Sequence, residues 1–307
     1  MEIGEFREVT EGDCSDLYVV DTGMFGTSDY GAAYIIDDER PAIVDSGIGT
    51  NHEYILEALE GIGIGPEGLE VIAVSHIHLD HAGGAGFLAD ACPNADVYIP
   101  EVGADHLIDP DRLVEGTKAA VGDQWEFYTE PKPVPEDRLT GIEDGDVVAL
   151  GEHELHVHAA PGHAPHHSVF EEPTNDAVFV ADAAGLWVDS REEIMETSPP
   201  SQFDFDRCLE DVDTVIDIDP DVLLYAHFGP REVGDRTEEA LEEYKRVLTE
   251  WVEAVEAKRG ELEDDEAVVE YFADRPKMAD VWGERKAREE RAMNTRGVLG
   301  YLDWRDR

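Results

Sequence analysis

The feature that most restricts what this chain can become is an apolar strand that opens directly onto a cluster of titratable side chains. Val71-Ile72-Ala73-Val74 is continuously apolar, the pattern of a strand covered on both faces, and it leads into His76-Ile77-His78-Leu79-Asp80-His81. Alternate residues of a strand share a face, so His76 and His78 emerge on one side, with Asp80 and His81 following in the turn. Neutral imidazoles and a carboxylate at this density form a metal-ligand set that suits zinc, and also iron or manganese.

The surrounding pattern alternates strands with helices. Tyr34-Ile35-Ile36 and Ala42-Ile43-Val44-Asp45 read as strands, the second leaving through the loop Asp45-Ser46-Gly47-Ile48-Gly49. Helical spacing follows over 52–59, a small-residue helix over 82–91, and a strand over 96–99. Strand, loop, helix, strand is a unit that favours sites at the carboxyl ends of strands. Residues from about 102 to 139 break the rhythm with Pro110, Pro131, Pro133 and Pro135 and a cluster of Trp125, Phe127 and Tyr128. They read as an insertion beside the core, either part of a substrate wall or peripheral packing.

The second half resumes with strands over 146–150, 155–159, 168–170 and 177–180, a helix over 205–216 closed by Asp219-Pro220, and a last buried strand over 222–226. After Pro230 the texture is helical. Asp235 and Glu238 form a capping-box pattern, and Leu241, Tyr244, Leu248, Trp251, Val252 and Val255 share one face. The chain therefore divides into a catalytic region, 1–230, and a helical C-terminal region, 231–307.

Composition limits the partners. Asp and Glu number 73 against 23 Lys and Arg, a formal charge of −50 spread along the whole of 307 residues. Such a surface repels nucleic acid and anionic membranes and points to a small-molecule substrate. It also fits a halophilic protein, because molar salt shortens charge repulsion to a few ångströms. The N-terminus lacks the basic start and apolar run of a signal peptide, so a cytoplasmic protein is expected. Cys14, Cys92 and Cys208 form no CxxC pair and read as small buried hydrophobes.

Three more residues stand where β-patterns end: His163 in Pro161-Gly162-His163-Ala164-Pro165, Asp182 after Val178-Phe179-Val180-Ala181, and His227 after the strand from Val222. The order HxHxDH, then PGH, then a strand ending in Asp and another ending in His, resembles the metallo-β-lactamase superfamily over residues 15 to 230. The resemblance implies an α/β fold, an αβ/βα sandwich with a C-terminal helical appendage, and two divalent metal ions, zinc above all. It implies His76, His78 and His163 on one metal, Asp80, His81 and His227 on the other, and Asp182 bridging them. Asp45 resembles the family's early aspartate, which supports the site without binding metal.

The implied activity is hydrolysis by a metal-activated bridging water, with Asp80 both ligating and orienting the nucleophile. His78 in place of Glu departs from the flavodiiron branch, and Asp182 in place of Cys departs from β-lactamases with a cysteine ligand. The remaining resemblance is to the glyoxalase II-like branch, whose substrates are thioesters, esters and lactones. Its phrase PGHTPGH is similar to the stretch from Pro161, with His166 standing in place of a glycine. Persulfide dioxygenases with one iron and phosphodiesterases share the scaffold and are the alternatives. His166 and His167 are candidates for contact with substrate or support of a ligand; His156 and His158 read as structural. Gly185-Leu186-Trp187, Asn294 and Arg296 are weaker candidates for the pocket.

Overall fold

The computed structural model describes every residue of the chain except Ser198 and Ser201. In chain order the strands of the first sheet are β1 (Phe6–Glu8), β2 (Leu17–Asp21), β3 (Ala32–Ile36), β4 (Ala42–Val44), β5 (Val71–Ala73), β6 (Asp96–Pro100) and β7 (Leu139–Ile142), paired in that order. β1 to β4 are antiparallel, while β4 to β7 run parallel, with Val44 opposite Ala73. The second sheet draws on β8 (Val147–Ala149), β9 (Glu154–Ala159), β10 (Ser168–Glu172) and β11 (Ala177–Phe179). A separate hairpin, β12 (Leu186–Val188) with β13 (Glu193–Met195), precedes β14 (Val222–Tyr225) and β15 (Gly229–Glu232). The second sheet is ordered β15-β14-β11-β10-β9-β8, and β11 and β14 are its parallel pair.

The two sheets face each other because their strands are apolar on both sides. On β3, Ala32, Tyr34 and Ile36 point into the layer between the sheets, while Ala33 and Ile35 point to the outer helices. Val71 and Ala73 of β5 alternate with Ile72 in the same way, as do Ala177 and Phe179 of β11 with Val178. Period-two alternation with no polar face requires cover on both sides. Helices α1 (His52–Ile62) and α3 (Ala85–Ala91) cover the first sheet, and short α2 (Leu79–Ala82) lies between them in sequence. The region 102–139 forms α4 (Ala104–Ile108), α5 (Asp111–Val121) and a 3-10 turn over Gly122–Phe127. Over the second sheet lie α6 (Phe205–Ile218), α7 (Thr237–Leu262), α8 (Asp265–Ala273) and α9 (Ala279–Arg305). The result is the expected αβ/βα sandwich with C-terminal helices.

The helices after Pro230 share one apolar cluster with the second sheet: Val178, Leu223 and Tyr225 meet Leu241, Tyr244, Val268 and Val298. A buried ion pair between Arg291 and Glu196 ties α9 to the segment after β13, with the guanidinium 3.6 Å over the Trp251 ring. The capping box expected at Asp235 and Glu238 does not form. The helix starts at Thr237, whose hydroxyl donates to the Pro220 carbonyl at 2.6 Å, so its first turn is anchored to the core without a side-chain cap. Gly283, at φ 76° and ψ 157°, breaks the first turn of α9 from the rest and lets Trp282 reach Tyr30 and Phe228. No helix among the described residues is long and apolar enough to cross a membrane.

Candidate metal centre

Four of the site's segments follow the carboxyl ends of parallel strands. Asp45 follows β4, His76 follows β5, Asp182 follows β11 and His227 follows β14. Each sheet's parallel pair therefore delivers its site residues to one edge. Two cross-sheet hydrogen bonds join those edges: Ser168 N–H donates to the Ser75 carbonyl at 3.0 Å, and Ala32 N–H to the Ala226 carbonyl at 2.8 Å. His163 sits in the turn between β9 and β10, held by Asp211, whose carboxylate accepts from the Gly162 N–H at 2.6 Å. A side chain at Gly162 would meet the α6 backbone at Cys208, so the turn lies flush against that helix.

All seven residues converge. His76 Nε2 lies 2.8 Å from His78 Nδ1, and His163 Nε2 lies 3.1 Å from the same atom. Asp182 Oδ2 faces three imidazoles: His163 Nε2 at 3.1 Å, His81 Nε2 at 3.2 Å and His76 Nε2 at 3.5 Å. Its other oxygen faces His227 Nε2 at 3.7 Å, and Asp80 Oδ2 is 3.8 Å from both His81 Nε2 and His227 Nε2. His76, His78, His163 and Asp182 form one potential cation site; Asp80, His81 and His227 form another beside it.

The far nitrogens of these rings decide which atoms converge. His81 Nδ1 lies 2.8 Å from Asp45 Oδ2, which accepts its proton, and His227 Nδ1 donates to the Tyr30 carbonyl at 3.1 Å. His76 Nδ1 is 3.1 Å from the Ser75 hydroxyl, which itself donates to Asp45 at 3.0 Å, so the hydroxyl oxygen accepts from the ring. With Nδ1 protonated in all three, Nε2 of His76 and His227 turns a lone pair inward, and Nε2 of His81 does so once a cation replaces the proton that Asp182 holds on it. Lone pairs facing lone pairs and a carboxylate repel until a cation lies among them. His81 Nε2, wholly buried, has no hydrogen-bond partner. These donors fit a pair of divalent ions of the zinc type.

Electrostatics agree. Burial pushes the His76 and His163 imidazoles well below the ordinary value, and neighbouring imidazoles push His76 further. Burial acts on His81 in the same direction, but Asp182, Asp45 and Asp80 hold it well above normal. Burial would raise the Asp182 carboxyl, yet His163 and His81 keep it well below the carboxylate range. Backbone strain sits here too: Asp45 (φ 59°), Ala181 (φ 43°) and Phe228 (φ 69°) adopt left-handed conformations beside the ligand positions, each costing on the order of 1–3 kcal/mol.

Depressed histidines make the metal-free protein acid-sensitive. Burial lowers His167 to about 4 and His166 to about 3. Between pH 6.5 and those values the unfolded chain binds protons that the folded chain refuses, so stability falls as pH falls. His81, already charged in both states below pH 6.5, adds no slope there. The expected result is a metal-free protein whose thermal midpoint drops steadily from pH 6.5 to 4. A midpoint that is flat or rising on acidification contradicts the assignment of neutral buried rings.

A cavity of about 720 Å³ opens onto the cluster, reaching His78, Asp80, His163, Asp182 and His227. Asp80 is the carboxylate of the cluster with most solvent access, its side chain 26% exposed. The insertion supplies one wall through α4 and α5, with His106, Arg112, Leu113, Gln124 and Tyr128. On this face residues of the 102–139 segment therefore line the cavity. Another wall comes from α9, where Lys286, Glu290, Met293 and Gly297 fall at helical spacing. Leu186 lines the cavity, whereas Trp187 turns outward under the Arg231 guanidinium at 3.6 Å.

The remaining candidates separate. His166 lines the cavity, its Nδ1 buried and unpartnered. His167 supports the site from behind, its Nε2 accepting from the Asp182 N–H at 3.3 Å. His156 and His158 pair with Glu154 and Glu171 on the outside of β9, and the three cysteines are buried and free. Asn294 is buried behind the cavity wall while Arg296 faces the cavity. Sequence reasoning did not find Ser75, the Tyr30 carbonyl, or Lys286, Glu290, Met293 and Gly297 of the α9 wall. A backbone carbonyl carries no sequence signal; the 286, 290, 293, 297 spacing was available.

A two-sheet sandwich with histidines and aspartates gathered at one edge defines a class of metal-binding α/β proteins. The chain belongs to the metallo-β-lactamase superfamily, whose family description matches residues 26–227. It is similar to a metallo-β-lactamase fold-containing protein, ST1585, of Sulfurisphaera tokodaii, at 25% identity over 70% of this chain and 79% of the relative. The crystal structure of the archaeal superfamily protein ST1585 from Sulfolobus tokodaii superposes with a TM-score of 0.70 and 21% identity, covering 93% of this chain and 99% of that one. The family protein TTHA1429 of Thermus thermophilus gives 0.60 at 20% identity over 90% and 89%. MEM-A1, a subclass B3 metallo-β-lactamase from a soil metagenome library, gives 0.59 at 18% over 84% and 98%.

Proposed function

We propose that this protein is a binuclear metal-dependent hydrolase acting on a small thioester, ester or lactone, with His76, His78, His163, Asp80, His81, His227 and a bridging Asp182 as ligands. The observation that carries the reading is the pairing of inward lone pairs with a carboxylate whose two oxygens face different imidazole sets. A pair of divalent ions held there, zinc above all, would supply Lewis acidity, lowering the pKa of a bound water toward ~7 and polarising a carbonyl oxygen. The chain's own groups do the rest. Asp45 and the Tyr30 carbonyl fix the tautomers of His81 and His227. Asp80 reaches the cavity and orients the attacking water. Tyr30, with its ring 5.2 Å from that of His227, and Leu186 shape the apolar side on which a leaving group rests.

The test is a substrate panel on metal-loaded protein in molar salt: S-lactoylglutathione, simple lactones, aryl esters, nitrocefin and bis-p-nitrophenyl phosphate. Metal content is measured alongside. Two zinc ions per chain, with acyl substrates turned over at least about tenfold faster than the phosphodiester, support the reading. One iron per chain with oxygen uptake on a persulfide overturns it, as does preference for the phosphodiester.

A further inference from the structure

The protein has far fewer cations than anions, and it places most of them beside carboxylates. Each of the six lysines, 118, 132, 245, 258, 277 and 286, has a carboxylate within 4.0 Å. Most arginines do as well, including those nearest the cavity on α9: Arg285 pairs with Glu126 and Glu289, Arg288 with Glu270 and Asp274, and Arg291 with Glu196. Among the described residues, two arginines that line the metal cavity, Arg112 on α5 and Arg296 on α9, have no carboxylate within that distance. Both are exposed to the cavity's solvent.

The cavity's own carboxylates are already engaged. Asp80 and Asp182 face the imidazole cluster, and Glu290 pairs with Lys286, whose ammonium also sits 4.2 Å from the centre of the Phe25 ring. Arg231, Arg236, Arg275 and Arg307 also lack such a neighbour, but of these arginines it is Arg112 and Arg296 that border the metal cavity. Two such side chains, from segments far apart in sequence, border the same cavity. A guanidinium presents a planar fork of donors that matches a carboxylate in bidentate fashion. Leu113, Ala119, Ala120, Val121, Leu186 and Met293 supply an apolar part of the cavity wall.

We propose that Arg112 and Arg296 form an anion-recognition subsite, and that the natural substrate is an acyl compound carrying a carboxylate remote from the scissile bond. The apolar wall takes the hydrocarbon between the two ends, and the guanidinium pair selects against neutral analogues. This deepens the hydrolase reading and rests on it for the word substrate; the subsite as a binding site stands without it.

The experiment measures binding rather than turnover. Calorimetric titration of metal-loaded protein, in about 1 M KCl to screen the general acidic field, compares 4-(phenylthio)butanoate with its primary amide. Both carry a thioether where a substrate has its thioester, so neither is hydrolysed. Wild type is expected to bind the acid about tenfold more tightly than the amide. In R112Q/R296Q that preference collapses toward unity, while amide affinity and thermal midpoint stay unchanged, because both side chains are exposed. R112K/R296K restores part of the preference.

Equal affinity of wild type for acid and amide overturns the proposal. So does an acid preference that survives in R112Q/R296Q, since the carboxylate is then held elsewhere, on the metals for instance. If the acid preference depends on both arginines but no thioester, ester or lactone is turned over, the hydrolase reading falls and the subsite stands. If acyl substrates are hydrolysed with no distinction between acid and amide, the reverse holds.

Discussion

Substituting Asp182 by alanine is expected to lower affinity for divalent metal by about a thousandfold and to reduce hydrolysis to background. Asp182 is buried, and one of its oxygens lies within 3.5 Å of His76, His81 and His163 while the other faces His227. Among the described residues no other carboxylate reaches both histidine groups, since Asp80 approaches only His81 and His227 and Asp45 sits behind His81. Removing one partner of a buried charged set costs on the order of 3–5 kcal/mol, and 4.1 kcal/mol is about a thousandfold in binding. The decisive measurement is metal content after dialysis against buffered zinc, with D182N as companion because it keeps the shape and loses the charge. Two tightly held metals in D182A exclude the bridging role. The metal-free variant provides a second readout: without its counter-charge, His81 loses the principal cause of its raised pKa.

Dilution out of salt is expected to have the other large effect. Two like charges 10 Å apart in water repel by about 0.4 kcal/mol. The screening length grows from about 3 Å at 1 M to about 30 Å at 0.01 M salt. At a net charge of −50 each carboxylate then meets many others. The unfolded chain relieves this repulsion by expanding, so the folded state loses several kcal/mol. About 2–4 °C of midpoint per kcal/mol makes the expected fall more than about 10 °C between 1 M and 0.01 M KCl. The ion pairs do not offset it, since most are exposed and worth about 0–1 kcal/mol each. A midpoint insensitive to KCl over this range removes the halophilic reading and leaves the acidity unexplained by salt.

Legibility followed from how local each signal was. The apolar alternation of β3, β5, β11 and β14 is complete within single segments, so strands and their double burial could be read directly. His76, His78, Asp80 and His81 fall within six positions, so the cluster could be read directly, although the loop after β5 and the turn of α2, not the strand itself, aim the side chains. Asp235 and Glu238 show the converse: a sound local cap signal without a cap, in a helix whose start Thr237 anchors to the Pro220 carbonyl on the core. The division near 231 marks a real change of texture, yet the helices beyond it contribute Met293 and Arg296 to the cavity that serves residues before it.

By itself, the sequence determined strands β3 to β6, β8 to β11 and β14, the titratable residues at their ends, the family resemblance and the charge of the surface, but not the edge strands β1, β2, β7 and β15 or the hairpin β12–β13. Those properties depend on residue type and on neighbours within a few positions. Only the tertiary structure decided that β11 and β14 lie where Asp182 and His227 meet the turn of His163 and the histidines after β5. It also decided that Ser75 and the carbonyl of Tyr30 set tautomers, and that Arg112 and Arg296 border one cavity. These are relations between segments tens to hundreds of residues apart. They arise from sheet order, from the face-to-face packing of two apolar sheets and from backbone groups that every residue carries, so no local pattern encodes them.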